Sequence, residues 1–253
     1  MEFIGFALAA LVGISLGLIG SGGSILTVPI LVYVMGVAPV IATAYSLFIV
    51  GSTALVGGMQ SAMQKKVDFK TVLIFGIPSI AGVYATRAWI LPVIPQEIFT
   101  VGSFVLTTDV ALMILFAIVM ILASVSRIRP GKKAVTDENS PIKYNYPLIL
   151  LEGGLVGILT GLVGAGGGFL IIPALVLLAR MPMKLAVGTS LFIIAAKSLI
   201  GFIGDLQGDE IIDWTLLGAF TFFSVLGIFI GNYLTKFVSG NGLKKGFGWF
   251  VLA

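Results

Sequence analysis

One glycine-rich segment occurs twice in this chain, each time inside a long apolar stretch. Residues 13–29 read GISLGLIGSGGSILTVP, and residues 157–173 read GILTGLVGAGGGFLIIP. The two copies are offset by 144 residues and share nine of seventeen positions. Because glycine and proline weaken helices, the repeat predicts two broken helices at matching places of two related halves.

The composition places these breaks in a membrane. The chain is 58% hydrophobic and 10% charged, with a mean hydropathy of +1.14. A soluble domain carries more charge than this, and apolar stretches of about 20 residues are long enough to cross a bilayer as helices. The sequence therefore predicts an all-α polytopic membrane protein whose surroundings are lipid.

Several function classes lose support from what the sequence lacks. The chain contains no cysteine and no histidine, which removes thiolate chemistry and imidazole ligands or relays. It has no phosphate-binding GxxxxGK[ST] loop and no carboxylate cluster with metal spacing. We therefore expect no enzymatic activity, no cofactor and no metal site. We also expect no nucleic-acid partner, because basic residues in membrane proteins report first on the orientation of the chain in the membrane.

The repeat divides the chain into two membrane halves, 1–125 and 147–253, joined by a polar linker, 126–146. The matched segments ATAYSLFIV at 42–50 and AVGTSLFII at 186–194 extend the repeat. Each half is expected to contain one glycine-broken helical hairpin and three further membrane helices. The last of these, within 243–253, has eleven residues and is too short to cross alone.

Charge placement indicates how the halves are oriented. If each broken segment is a hairpin, the second half is inverted and 13 of the 15 basic residues fall on one side. If each broken segment crosses once, the basic loops divide eight against five. The positive-inside rule favours the hairpins. It predicts an external N-terminus and a cytoplasmic linker.

The two glycine turns are candidates for an anion site near the middle of the membrane. The first N–H groups of a helix have no partner within it, and with the helix dipole they attract anions. Matched breaks of this kind indicate a transporter's binding site. The alternative is that the glycines permit close helix packing. The candidate residues are Gly20, Ser21, Gly22, Gly23 and Ser24 in the first turn and Gly164, Ala165, Gly166, Gly167 and Gly168 in the second.

Three polar side chains inside apolar segments are further candidates for this site. Lys197 lies in the middle of segment 184–206, where a charge is costly unless it has a function or a partner. It neutralises an anion, forms a structural ion pair with Asp109 or Asp205, or extends its ammonium group to the membrane interface. Ser46 and Ser190 are matched hydroxyls that can donate to anion oxygens, although such serines often bond their own backbone.

Three charged residues are candidates for coupling or gating. Asp109, inside segment 99–125, either pairs with a lysine or carries a coupling proton. Glu152 lies near the predicted cytoplasmic entrance of the second hairpin and is either a gate or an interfacial charge. Arg87, near the outer end of segment 70–94, is expected to be an interfacial anchor, with an anion-attracting vestibule as the alternative.

The doubled motif GLIGSGGSILTVP and GLVGAGGGFLIIP, in two homologous halves, resembles the sulfite exporter TauE/SafE family. The resemblance covers nearly the whole chain and implies a prokaryotic carrier for sulfite, sulfonates such as sulfoacetate, or related oxyanions. We therefore expect a secondary transporter, with export as the activity, and a possible homodimer. The alternatives are an importer of an anion such as thiosulfate, a channel, or a membrane subunit that delivers substrate to a partner enzyme.

Overall fold

The computed structural model of the protein describes residues 2–20, 22–101, 104–128, 146–177, 181–206 and 212–234. Most of these residues are helical, which confirms the all-α class. The α-helices are α1 Glu2–Ile19, α2 Thr27–Pro29, α3 Pro39–Met63, α4 Phe69–Ala85, α5 Leu91–Val93, α6 Thr108–Ile128, α7 Tyr146–Val163, α8 Gly168–Leu177, α9 Met183–Asp205 and α10 Trp214–Leu234. Two strands, β1 Glu97–Val101 and β2 Phe104–Thr107, form an antiparallel hairpin.

The first glycine cluster turns the chain back on itself. Helix α1 ends at Gly20, whose φ of +84° is a conformation that glycine adopts without strain. A 3₁₀ turn follows, and in it Gly23 packs directly against the backbone of Leu16. Further along, Met35 lies against Gly5, near the start of α1. The segment is therefore a hairpin rather than one long helix.

The second glycine cluster makes a similar turn. The Gly164 N–H donates to the Thr160 carbonyl at 2.8 Å and closes the end of α7. Gly164, Gly166 and Gly167 all have positive φ values, of +73°, +64° and +59°. Three such residues in so short a turn require glycine, because a β-carbon would strain each of them. Helix α8 then begins at Gly168 and packs against α7.

Equivalent helices of the two halves exchange equivalent contacts. Helix α1 packs against α10, and helix α7, which begins 144 residues after α1, packs against α4. At the first interface Gly13 lies against the Ser224 carbonyl, and at the second Gly157 lies against the Ser79 carbonyl. Glycines at these positions let the backbones approach closely. The first helix of each predicted half thus packs on a helix of the other half.

Helices α3 and α9 cross the centre of the molecule side by side. The ring of Phe48 packs at a tilt against that of Phe202, with ring centroids 5.1 Å apart. Further along α3, Gly58 lies against Phe192, which comes earlier in α9. The two helices therefore run antiparallel.

Two aspartates cap the starts of α4 and α10 in a similar way. Asp68 accepts a hydrogen bond from the Lys70 N–H at the start of α4, and Asp213 accepts from the Leu216 N–H at the start of α10. The backbone N–H of each aspartate also donates to the other half: Asp68 to Thr189 Oγ1 and Asp213 to Tyr45 Oη. These caps join the halves at both ends of the molecule.

In the described part of the chain, four helices are long and apolar enough to cross a membrane. They span Pro39–Met63, Phe69–Val93, Leu185–Asp205 and Trp214–Leu234. Large apolar side chains on their outer faces, such as Leu73, Ile77 and Phe229, are exposed in the isolated chain. This is the surface that a lipid bilayer would cover.

The prediction of one helix over 99–125 is wrong at its start. The β-hairpin occupies the first part of this segment, and α6 begins only at Thr108. Phe99, Thr100, Val101 and Val105 are β-branched or aromatic and favour strands, a preference that the apolar run concealed. The predicted short segment 243–253 lies outside the described residues.

Candidate functional site

The two glycine turns meet at the centre of the molecule, between α3 and α9. A β-carbon built on Gly166 would lie 3.3 Å from Cβ of Ser24, 2.7 Å from Val50 and 3.5 Å from Ile194. Val50 and Ile194 are equivalent residues of the two halves, 144 positions apart. Gly166 therefore lies between the two central helices, in contact with the first turn.

Apolar residues beside the turns join them into one cluster. Ile25 and Val28, which follow the first turn, pack with Val163 and Ala165 of the second. The ends of α1 and α7 pack against equivalent residues of the central helices. Gly20 contacts Val187 of α9, and Gly164 contacts Thr43 of α3, which is the equivalent of Val187. Both turns thus rest on the central helix of the opposite half.

Lys197 reaches this centre from α9. Its side chain is fully buried, and its ammonium group donates a hydrogen bond of 2.9 Å to Thr160 Oγ1. A β-carbon on Gly167 would collide with that hydroxyl and would lie 2.8 Å from Lys197 Nζ. Glycine at position 167 is therefore what makes room for the lysine beside the second turn.

The environment of Lys197 contains no counter-charge in the described part of the chain, where no carboxylate lies within ion-pair distance of Nζ. The predicted structural alternative, an ion pair with Asp109 or Asp205, is absent from these residues because each carboxylate has another partner. A buried cation without a carboxylate is costly. The arrangement is suited to receive an anion.

Thr160 is a site residue that the sequence analysis missed. Its hydroxyl donates to the Val156 carbonyl at 2.6 Å and accepts from Lys197. A threonine in an apolar helix commonly bonds its own backbone, so its type carried little signal. Its place one turn before Gly164, where two helices converge, was the signal that could have identified it.

A cavity of about 10 Å³ borders Thr160 and Gly167. Its other walls are apolar and come from α6, α7 and α8, with Val119, Leu159 and Leu170 among them. Such a volume holds about one water molecule. A sulfur oxyanion needs more room, so anion binding here requires the second turn or the Lys197 side chain to move.

The other predicted polar residues differ in their surroundings. Ser24 is buried at the contact between the turns. Ser46 is buried, and its hydroxyl has no hydrogen-bond partner in the described part of the chain. Its counterpart Ser190 donates to the Val187 carbonyl at 2.8 Å. Gly22 begins the 3₁₀ turn, and Ser21 lies outside the described residues.

Asp109 and Glu152 both lie apart from Lys197. The Asp109 carboxylate accepts a hydrogen bond of 3.2 Å from the Val40 N–H, at the first turn of α3. There it compensates the positive end of the helix dipole. Glu152 is half-buried in α7, and one of its carboxylate oxygens has no partner among the described residues.

The expectation that Arg87 is an interfacial anchor is wrong. Its side chain is 0% exposed, and Nη1 forms an ion pair of 3.2 Å with Asp205 Oδ1. The pair joins the π-helical turn Thr86–Ile90, which continues α4, to the last turn of α9. The nearby Gly204 packs against Cβ of Arg87, so a glycine lets α9 approach the base of this side chain closely.

A neutral pair occupies the equivalent place in the other half. The Asn232 side-chain amide of α10 donates to the Gln60 side-chain oxygen of α3. Asn232 is equivalent to Arg87 at the offset of 145 residues that also relates Asp68 to Asp213, whereas Asp205 lies one position beyond the residue of α9 that is equivalent to Gln60. One polar link thus joins α4 to α9 and another joins α10 to α3, at opposite ends of the antiparallel central helices.

Comparison with known proteins identifies relatives along nearly the whole chain. The model of the family described as sulfite exporter TauE/SafE matches residues 5–253. A probable membrane transporter protein of Xylella fastidiosa is 31% identical over 250 residues, which cover 96% of this chain and 89% of the relative. The probable membrane transporter protein YunE of Bacillus subtilis is 30% identical over 225 residues, covering 81% and 79%.

A third relative, from Haemophilus influenzae, is also named a probable membrane transporter protein. It is 29% identical over 265 residues, which cover 96% of this chain and 92% of the relative. No solved structure matches the chain.

Proposed function

The chain belongs to the sulfite exporter TauE/SafE family of membrane transporters, and from this premise we propose that it is a secondary carrier that exports small sulfur-containing anions. The substrate is sulfite or an organosulfonate. It binds near mid-membrane, between the two glycine turns. Its negative charge is neutralised by Lys197, and its oxygens accept hydrogen bonds from Lys197 and from the N-terminus of α8.

The observation that carries this proposal is the buried ammonium group of Lys197 beside the second glycine turn. It has a hydroxyl partner at 2.9 Å and no carboxylate partner in the part of the chain that the structure describes. In hydrocarbon such a charge marks a functional site by default. A three-oxygen sulfur group matches converging N–H and O–H donors.

Alternating access is proposed to arise from movement of one half against the other. The contacts between the turns and the central helices support this, because Gly20 and Gly164 each rest on the opposite half. A shift of either turn would open the site to one side. The small cavity beside Thr160 is consistent with a contracted state between the two openings.

The two equivalent polar links are proposed to be the gates. Arg87–Asp205 would close the external side, and Gln60–Asn232 would close the cytoplasmic side. Each joins helices from different halves, so relative movement of the halves must break one link and can keep the other. The gates differ in chemistry, because one is an ion pair and the other is an amide pair.

The proposed orientation has inverted halves, an external N-terminus and the linker 126–146 in the cytoplasm. The charge distribution favours it, and the antiparallel packing of the equivalent helices α3 and α9 supports an inversion. Because an inside-negative potential favours anion exit by about 2.3 kcal/mol per charge per 100 mV, export needs no coupling ion.

The absence of cysteine makes the orientation directly testable. We expect a membrane-impermeant maleimide, added to intact cells, to label Glu97→Cys and not Lys65→Cys. Opening the cells should allow the second variant to be labelled too. Labelling of Lys65→Cys in intact cells would overturn the proposed orientation. Both positions are exposed in the isolated chain, which makes the two variants a matched pair.

Transport is tested with the purified chain in liposomes loaded with sulfite. We expect protein-dependent, saturable efflux that accelerates when the liposome interior is made negative. Absence of efflux from the folded, purified chain would contradict the carrier and favour a subunit that needs a partner. Efflux that does not saturate would favour a channel.

A further inference from the structure

We infer that the central site selects anions carrying a single negative charge and one sulfur head group, such as hydrogensulfite or an alkanesulfonate, over dianions. The inference rests on the function proposed above and narrows its substrate class. It follows from the balance of buried charge around the two glycine turns.

The described residues bury two basic side chains, Arg87 and Lys197. Arg87 is paired with Asp205 at 3.2 Å, so this pair contributes no net charge. Lys197 has the neutral Thr160 hydroxyl as its hydrogen-bond partner. Of these two buried basic side chains, Lys197 is therefore the one without a carboxylate partner among the described residues, and it lies at the central site.

A single buried cation without a carboxylate partner favours a ligand that carries a single negative charge. A bound monoanion leaves the interior neutral, whereas a dianion replaces a buried positive charge with a buried negative one. An isolated buried charge costs several kcal/mol even after the protein relaxes. A dianion is attracted to Lys197 more strongly than a monoanion is. It also loses more hydration energy on entering the protein, and no second cation is present beside the site to compensate that loss.

A second cation could have stood at the position of the other half that is equivalent to Lys197, but that position carries an uncharged residue. Position 53 in α3 is equivalent to position 197 in α9 and carries threonine. The Thr53 hydroxyl is buried and donates to the Ile49 carbonyl at 2.7 Å. Val50 and Ile194, each three residues earlier, both contact Gly166. Thr53 and Lys197 are thus placed alike about the centre, but only one is charged.

A dianion with two separated charges, such as sulfoacetate, would need a cation at each end. The asymmetry between Thr53 and Lys197 provides a cation at one end alone. Sulfate, thiosulfate and fully ionised sulfite place both charges on one group and exceed the charge of Lys197. Hydrogensulfite and methanesulfonate match it.

The experiment measures dissociation constants by calorimetry on the purified full-length protein. Methanesulfonate and sulfoacetate form the main pair, since they share the sulfonate and differ by a carboxylate. Sulfite is titrated on the acid and alkaline sides of neutrality, with methanesulfonate as the control for pH effects on the protein. We expect methanesulfonate to bind at least ~10-fold more tightly than sulfoacetate, equivalent to about 1.4 kcal/mol. We also expect sulfite to bind more tightly on the acid side.

Thr53→Lys adds the missing cation and is expected to shift the preference towards sulfoacetate by at least ~10-fold. The double variant Thr53→Lys with Lys197→Thr moves the cation to the other half and should keep the preference for methanesulfonate. If the lysine at position 53 prevents folding, the wild-type comparison still decides. Equal or tighter binding of sulfoacetate by the wild type would overturn the inference and leave the proposed function standing. Failure of every sulfur anion to bind would overturn the proposed function itself.

Discussion

Replacing Lys197 with Met is expected to abolish anion binding and to stabilise the empty protein. Methionine keeps most of the side-chain volume and removes the charge. Losing a buried charge partner costs about 2 kcal/mol or more in binding, which is a weakening of at least ~30-fold. The empty protein should gain about 1 kcal/mol or more, because a buried ammonium with no carboxylate partner among the described residues is replaced by an apolar group.

Weaker anion binding together with a more stable empty protein distinguishes an anion-binding lysine from a structural one, whose loss would destabilise the protein. Thermal unfolding with and without methanesulfonate measures both. The matched control is Thr53→Val, which alters the equivalent position of the other half without changing charge and should retain the anion-induced shift. A Lys197→Met protein that unfolds at a lower temperature yet still responds to the anion would show that the lysine is structural.

Replacing Asp205 with Asn is expected to cost about 3–5 kcal/mol of stability, because it leaves the Arg87 guanidinium buried without a counter-charge. Asp205 is the main partner of the guanidinium, because Nε and Nη2 have no hydrogen-bond partner among the described residues. Unfolding of the purified variant by heat measures the loss. A change smaller than about 0.5 kcal/mol would contradict an enclosed ion pair.

The equivalent link of the other half provides the control for this prediction. Gln60→Leu removes a neutral hydrogen bond to Asn232 and should cost about 1 kcal/mol. The double variant Arg87→Met with Asp205→Leu removes both charges together. It should recover most of the stability lost in Asp205→Asn, because replacing a buried ion pair by apolar residues is often neutral.

Most of the helical framework could be predicted from the sequence. The two glycine clusters predicted breaks, and the first break is a turn that brings Met35 back to Gly5. Asp68 and Asp213 cap the starts of α4 and α10. These features are local, since a glycine at positive φ and a capping aspartate act within a few residues. The strands of Glu97–Thr107 were missed because a continuous apolar run does not distinguish a strand from a helix.

The candidate site was predictable in part. Lys197 stood out as a charge in an apolar segment, and the glycine turns stood out by repetition. Their proximity did not follow from the sequence, nor did the hydroxyl of Thr160 that accepts from Lys197. The burial of Arg87 was missed because its partner, Asp205, lies 118 residues away on another helix.

The sequence by itself determined that this is a repeated, helical membrane protein with two glycine breaks and an unusual lysine at position 197. Periodicity, length and local backbone preference are sufficient for those conclusions. The tertiary structure alone decided that Gly166 meets Ser24, that Lys197 lies beside Gly167, and that Arg87 pairs with Asp205. These contacts depend on which helix faces meet. In an apolar chain nearly every face can be buried, so close packing rather than hydrophobic pattern selects among them.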